Sequence, residues 1–328
     1  MDMHNIGIEF TACGKMGFYG LGTPPAPGPT QILIRTHYSG ITNGTERHAL
    51  MGDFGYGGGY PGRHGYQHVG VVEAAGEQVK AFSEGDMVFF GRYVGHRGWN
   101  IVEVGTGGLS SHNLSHLCFK LPDDVEHEFC ALLGVTGVGM RHIRRINVKP
   151  SQNVWVAGLG PIGQSTAQSA RAFGAYVTVT DLNQRRLDVA KELGAHRAIN
   201  VSEPSGYELL KQGGPYNCIV DACGASSLIG DIHKNRLLAR RGVIGLLAVR
   251  GETTFQWGML HMLEGSIEVS CHFSLDDLRV IIHFLRLGIM KLEPLVTHRV
   301  PITDAPRIYE TMRDQPADLL GAIFNWKA

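Results

Sequence analysis

The stretch Val154-Trp155-Val156-Ala157-Gly158-Leu159-Gly160-Pro161-Ile162-Gly163 constrains this chain more than any other. Its apolar start reads as a buried strand, and three glycines follow in a Gly-x-Gly-x-x-Gly turn. The small and apolar residues after it continue as a helix that closes at Gly174. Each glycine answers a geometric need. Gly158 permits the sharp turn, Gly160 keeps a Cβ away from an approaching pyrophosphate, and Gly163 lets the helix pack closely on the strand. A diphosphate then lies at the positive end of that helix. Alone, such a turn is a weak signal.

The context strengthens it. Tyr176-Val177-Thr178-Val179-Thr180-Asp181 reads as a second strand, ending in an acid about 20 residues beyond the glycines. A carboxylate there accepts hydrogen bonds from the adenosine ribose diol and repels a 2′-phosphate. Leu182 and Asn183 follow Asp181 in place of a serine and arginine pair, which favours NAD over NADP, while Arg185 and Arg186 pull the other way. Asp181 as a helix N-cap is a second role open to it.

From about residue 129 to residue 273, strands alternate with helices. A helix spans residues 183–193, and strands are read at Cys218-Ile219-Val220-Asp221-Ala222, Val243-Ile244-Gly245-Leu246-Leu247-Ala248 and Ile267-Glu268-Val269-Ser270-Cys271. The pattern predicts an α/β doubly wound parallel sheet, a Rossmann dinucleotide domain over 129–273. The strand ends at Ala222, Cys223, Leu247 and Ala248 are expected on the ligand side of its switch point.

Residues 1–128 differ. Short alternating runs at 31–38, 69–74 and 86–90 are punctuated by glycine and proline, which predicts a barrel-like β domain. Seven glycines and three aromatics between Gly52 and Gly65 make a glycine-rich loop, equally readable as a substrate lid or a plain surface loop. Residues 274–328 are expected to return to this first domain, with the substrate in a cleft between the two domains.

Composition narrows the class. Thirty basic and 30 acidic residues balance, with no basic block, so nucleic acid is not an expected partner. No apolar run approaches the roughly 20 residues of a membrane helix, and Met1-Asp2-Met3-His4-Asn5 lacks a signal peptide's layout, which predicts a cytoplasmic protein without a membrane partner. The six cysteines are scattered with no Cys-x-x-Cys pair, and are read as free thiols.

With Tyr38-Ser39-Gly40-Ile41-Thr42, Gly76-Glu77-Gln78-Val79, Gly85-Asp86-Met87-Val88, Leu121-Pro122-Asp123, Gly134-Val135-Thr136 and the dinucleotide turn in order, the chain resembles a medium-chain dehydrogenase/reductase of the alcohol dehydrogenase type. The resemblance implies a GroES-like β-barrel catalytic domain, a nicotinamide cofactor, hydride transfer to or from an alcohol or carbonyl carbon, and a homodimer or homotetramer. It also implies cofactor contacts at Gly158, Gly160, Pro161, Ile162, Gly163, Asp181, Leu182, Arg186, Ala222, Cys223, Leu247, Ala248 and Thr136.

The sequence departs from the family's zinc enzymes at their ligands. Thr42 stands where they carry a cysteine, Gly65-Tyr66-Gln67 stands for their Gly-His-Glu, and the third ligand position falls near Leu132. Threonine, tyrosine and leucine are not zinc ligands, so neither a catalytic nor a structural zinc is expected. A metal site shifted onto His48, His64, His68 and His96 is the weaker alternative. Ser39 to Arg47, the Gly-Tyr-Gln replacement and Leu320 to Trp326 resemble a zinc-lacking branch that includes bacteriochlorophyllide dehydrogenases and sugar or cyclitol dehydrogenase-like members.

Without zinc, the alkoxide must be met by side-chain donors and a base. The expected groups are Tyr66 or His48 for the proton, with Glu46 as a further candidate, and Thr42, Asn43 and Gln67 for substrate hydroxyls. Glu46 as a brace of the following helix and Tyr66 as core packing remain open. The expected activity is a zinc-independent, NAD-dependent oxidation of a secondary alcohol, of a sugar or cyclitol kind, as a small-molecule substrate. A quinone or enoyl C=C reductase and a non-catalytic dinucleotide sensor are the alternatives.

Overall fold

The computed structural model describes residues 3–104 and 117–327, so Met1 and Asp2 of the N-terminal reading lie outside the described residues. In chain order the first elements are strands β1 (Ile6–Ala12), β2 (Lys15–Gly20) and β3 (Gln31–Gly40), helix α1 (Asn43–Met51), and strands β4 (His68–Ala75), β5 (Met87–Gly91), β6 (Trp99–Glu103) and β7 (Leu117–Lys120). There follow α2 (Leu133–Arg145), β8 (Asn153–Ala157), α3 (Pro161–Ala172), β9 (Tyr176–Asp181), α4 (Gln184–Glu192), β10 (Arg197–Asn200) and α5 (Gly206–Gly213). Next come β11 (Tyr216–Asp221), α6 (Leu228–Lys234), β12 (Leu238–Leu246), α7 (Trp257–Leu263) and β13 (Ser266–Val269). The last are α8 (Leu275–Arg286), β14 (His298–Pro301), α9 (Ala305–Asp314) and β15 (Ala322–Asn325).

The chain forms two compact units, one of residues 1–134, 274–286 and 292–328, the other of 135–273 and 287–291. In the second unit six parallel strands lie in the order β10-β9-β8-β11-β12-β13. The order reverses between β8 and β11, which is the switch point of a doubly wound sheet. Both faces of β8 are covered: Val154 and Val156 enter one apolar cluster, Trp155 and Ala157 the other. That is the alternation a strand imposes, with both sets apolar because helices cover both sides.

In the first unit β1 and β2 form a hairpin, and a mostly antiparallel sheet runs β14-β15-β3-β4-β5-β7 with β6 also paired to β3. Residues from the C-terminal stretch thus complete a sheet begun near residue 31. One core cluster gathers Ile32, Ile34, Val72, Val88 and Phe90; another gathers Phe10, Ile41, Leu50, Tyr309, Phe324 and Trp326. Among the described residues, no helix is long and apolar enough to cross a membrane.

Candidate active site and dinucleotide site

The glycine turn is shaped largely by backbone. Gly158 has φ +91°, and a Cβ on Gly163 would stand 1.9 Å from the Gly158 carbonyl oxygen, so α3 can meet β8 only through glycine. A Cβ on Gly160 would meet nothing within 4 Å, and Pro161 begins α3 where no N–H is needed. Asp181 braces this turn. Its Oδ2 accepts the Leu159 N–H at 2.6 Å and its Oδ1 the Asn183 N–H at 2.9 Å. The N-cap of α4 is Asn183, whose side chain accepts from the Arg186 N–H, so capping falls to Asn183 and not to Asp181. Leu182 is 69% exposed, and the Arg186 carbonyl accepts from the buried Gln164 amide.

The neighbouring strand ends meet the turn. Ala222 N–H donates to the Ala157 carbonyl, and a Cβ on Gly158 would come within 2.7 Å of Cys223. Leu247 and Ala248 N–H groups both donate to the Asp221 carbonyl. The Asp221 carboxylate accepts from the Cys223 and Gly224 N–H groups and pairs with Arg250 at 2.8 Å, a buried ion pair that sequence patterning did not signal. Burial, with Asp221 beside it, pushes the Cys223 thiol up to about 11 and keeps it neutral. Thr136 is buried with its hydroxyl 3.3 Å from that of Ser165 on α3. These residues suit a dinucleotide: a bare glycine cradle at a helix N-terminus, with a carboxylate at the end of the next strand.

In the first unit a second site gathers around Thr42, the N-cap of α1. Thr42 makes no side-chain capping bond; its hydroxyl instead accepts from Gln67 Nε2 at 3.2 Å and bonds the Tyr66 phenol. Gln67 also donates to the Gly40 carbonyl at 3.2 Å. A Cβ on Gly134 would come within 2.7 Å of both the Tyr66 and Gln67 side chains, and Leu132 is wholly buried nearby, its Cδ2 3.2 Å from where a Gly40 Cβ would stand. The positions that correspond to the zinc ligands thus converge. Burial holds the Tyr66 phenol well above its ordinary range, the nearby Glu46 adds to this, and the Thr42 bond offsets part of it. The Tyr93 ring packs on Tyr66 at 4.8 Å.

The other expected residues go elsewhere. Glu46 is no free base: its side chain is wholly buried, accepts from Thr42 N–H and Tyr309 and faces His96 Nε2 at 3.1 Å, because α1 needs a brace at its start. His48 bonds Asp53 at 3.0 Å and lies against Phe54, since the left-handed turn at Gly52 brings residues 53–55 back over α1. Asn43 donates both amide hydrogens to the Leu319 and Leu320 carbonyls, which fastens α1 to the segment before β15. Of the remaining histidines, His68 bonds the Gly95 carbonyl and burial lowers it to about 3, while His64 stacks on Phe10. The glycine-rich loop is tied at Tyr60, whose hydroxyl donates to the Leu50 carbonyl, and at Gly62, which bridges to Phe10.

Residues 28–140 match the family model of the alcohol dehydrogenase GroES-like domain, and residues 161–286 that of the zinc-binding dehydrogenase. Human sorbitol dehydrogenase is 30% identical over 320 residues, covering 88% of this chain and 87% of that protein. Two Escherichia coli structures share the fold. Galactitol-1-phosphate dehydrogenase has a TM-score of 0.82 at 18% identity, covering 98% of this chain and 99% of its own. An alcohol dehydrogenase complexed with NADH has a TM-score of 0.81 at 20% identity, covering 98% of each chain.

A catalytic zinc does not fit the residues at the converging positions. A threonine hydroxyl, a phenol held protonated, an amide and a leucine offer neither thiolate, imidazole nor carboxylate. Among the described residues, no three His, Cys, Asp or Glu side chains are gathered as a metal would require.

Proposed function

Because the chain belongs to the alcohol dehydrogenase-like medium-chain dehydrogenase/reductase family and is a nicotinamide-dependent oxidoreductase, we propose that it transfers hydride between NAD and a secondary alcohol or ketone without zinc. The observation that carries this reading is the convergence of Thr42, Tyr66 and Gln67 where relatives hold a metal. Gly158, Gly160 and Gly163 with the α3 N-terminus would hold the diphosphate, and Asp181 the ribose diol. The bound nicotinamide supplies the hydride acceptor or donor.

The oxygen of the reacting carbon changes charge as hydride moves, and a donor aimed at it must answer that charge. Tyr66 remains protonated at neutral pH, so in both directions it acts as a hydrogen-bond donor to the reacting oxygen and stabilises the charge that develops there, while the alcohol's own proton is exchanged with water. The Thr42 hydroxyl accepts from Gln67 and spends its one proton on the Tyr66 oxygen, which leaves the Tyr66 proton to aim at the substrate. A cluster made of hydroxyl and amide groups suits a polyhydroxylated substrate. The sorbitol and galactitol-phosphate dehydrogenases among the relatives support that class.

The test is zinc content by mass spectrometry together with NADH and NADPH titration followed by fluorescence, and then turnover of Tyr66→Phe on a polyol panel. Below about a tenth of an equivalent of zinc, tighter NADH binding, and a roughly hundredfold fall in kcat for Tyr66→Phe are expected. Near one zinc per chain, or full activity of Tyr66→Phe, sinks the reading.

A further inference from the structure

Four side chains and one backbone N–H of the first unit are linked through Glu46. Tyr309 of α9 donates to its Oε2 at 2.7 Å, His96 Nε2 faces the same oxygen at 3.1 Å, and the Thr42 N–H donates to Oε1 at 2.7 Å. His96 Nδ1 is 2.8 Å from Ser39 Oγ, and the Trp326 indole N–H donates to that oxygen at 2.9 Å. Glu46, His96, Ser39 and Trp326 are essentially without solvent exposure, and Tyr309 is buried with them.

These contacts favour one placement of the protons. Trp326 is a donor only, and the arrangement that gives the Ser39 hydroxyl proton an acceptor among them sends it to His96 Nδ1. Nδ1 is then an acceptor, and the imidazole is the neutral tautomer with its proton on Nε2, donating to Glu46. Tyr309 and Thr42 also donate to Glu46, and with His96 donating as a third its two oxygens are acceptors only, as a carboxylate's are. The chain of donors therefore runs one way, from Trp326 through Ser39 and His96, and ends on a carboxylate.

The consequence concerns Thr42. A threonine at an N-cap ordinarily turns its hydroxyl back onto the helix's first N–H groups, and here it does not. Glu46 performs the reciprocal half of a capping box from one residue further along, bonding the Thr42 N–H while its own N–H donates to the Thr42 carbonyl. The Thr42 hydroxyl is released to Gln67 and Tyr66.

We infer that Glu46, His96, Ser39 and Tyr309 are positioning residues: a one-way donor chain that clamps the start of α1 from below and so holds the Thr42 hydroxyl on Tyr66, whose proton is aimed at the substrate. This rests on the Thr42–Tyr66 reading given above. The clamp has an electrostatic side as well. The carboxylate's fixed charge disfavours a second negative charge on the Tyr66 and Tyr93 phenols, and so keeps Tyr66 a donor. The titratable groups facing Glu46 are His96 and His64, Tyr309 from α9, and Tyr66 and Tyr93; those facing Tyr66 are Glu46, Tyr56 and Tyr93.

The experiment needs no substrate. Long-range proton–nitrogen correlation on the intact protein, with His96→Asn to assign the ring, is expected to show a neutral imidazole protonated at Nε2. A ring protonated at Nδ1 overturns the chain, whatever the variants do. Phenolate absorbance is then titrated in the wild type, Tyr66→Phe, Glu46→Gln and Tyr309→Phe. The late-titrating phenol that disappears in Tyr66→Phe is expected to move to lower pH in Glu46→Gln and to stay in place in Tyr309→Phe, which keeps that charge. No movement in Glu46→Gln overturns the electrostatic role. If Glu46→Gln does not fold, the wild-type tautomer still decides the direction of the chain. Full polyol turnover by Tyr66→Phe sinks the catalytic reading alone; a reversed tautomer sinks the clamp alone.

Discussion

The dinucleotide turn and the hydroxyl cluster are built by opposite means. The turn takes its form from backbone: a left-handed glycine, a Cβ-free approach of helix to strand, and N–H groups bonded by one acid, all within residues 158–183. The cluster takes its form from side chains that start at Ser39 and end at Trp326, joined by hydrogen bonds across as many as 287 positions. A backbone site tolerates changes at its side-chain positions and fails at its glycines. A side-chain site behaves in reverse, because each buried polar group depends on a partner that another element supplies.

The comparison breaks most readily at Gly163. Gly163→Val places a branched side chain against the Gly158 carbonyl, and NADH affinity is expected to fall by about a hundredfold in fluorescence titration. Unchanged affinity would show that the turn is not held by that approach. Glu46→Ala probes the other region. It leaves the Thr42 N–H, Tyr309 hydroxyl and His96 facing no acceptor, at an expected cost of about 3–5 kcal/mol in urea unfolding. A cost below about 1 kcal/mol would mean that the donors find other partners.

The smallest expected effect sharpens the contrast by pH. Burial lowers His142, whose Nδ1 lies 2.8 Å from the Ser270 hydroxyl, to about 4 in the second unit, and His68 to about 3 in the first. Both are held neutral in the folded state, and the unfolded chain takes up their protons near the ordinary value of 6.5. Between those limits the unfolded state binds more protons, so stability rises with pH and is lost as pH falls. The contribution is whole above about 6.5, declines as pH drops, and is lost by about pH 4 for His142 and pH 3 for His68. Thermal midpoints against pH should show a shallower acid limb in His142→Asn, by about 2 kcal/mol at the bottom of the range. Identical slopes would acquit that imidazole.

Legibility in the sequence follows the same division. The β8 strand, the glycine turn, α3, β9 and the position of Asp181 are local patterns, and period and glycine spacing suffice to read them. Where the pattern was broken the reading was short: β12 begins at Leu238, five residues before Val243, because the exposed Arg240 and Arg241, paired with Glu264, interrupt its apolar run. The β1–β2 hairpin was missed, since β2 is half-exposed and carries little alternation. In the first unit the resemblance singles out Thr42, Tyr66 and Gln67, whose side chains meet. Nothing in the sequence marks Tyr309 as the partner of Glu46 across 263 residues, or turns Asn43 and His48 away from the cluster.

The place of β15 has a consequence for how the protein is made. β15 lies inside its sheet, between β14 and the Tyr38–Gly40 end of β3, and Trp326 closes onto Ser39. All six strands of the parallel sheet lie within residues 153–269, so that sheet has its full complement once those residues have left the ribosome. The unit begun first must wait for residues 322–326, and until then one end of β3 is an unpaired edge open to foreign strands. The region that carries the hydroxyl cluster is started earliest, finished last, and exposed longest to misassembly during synthesis.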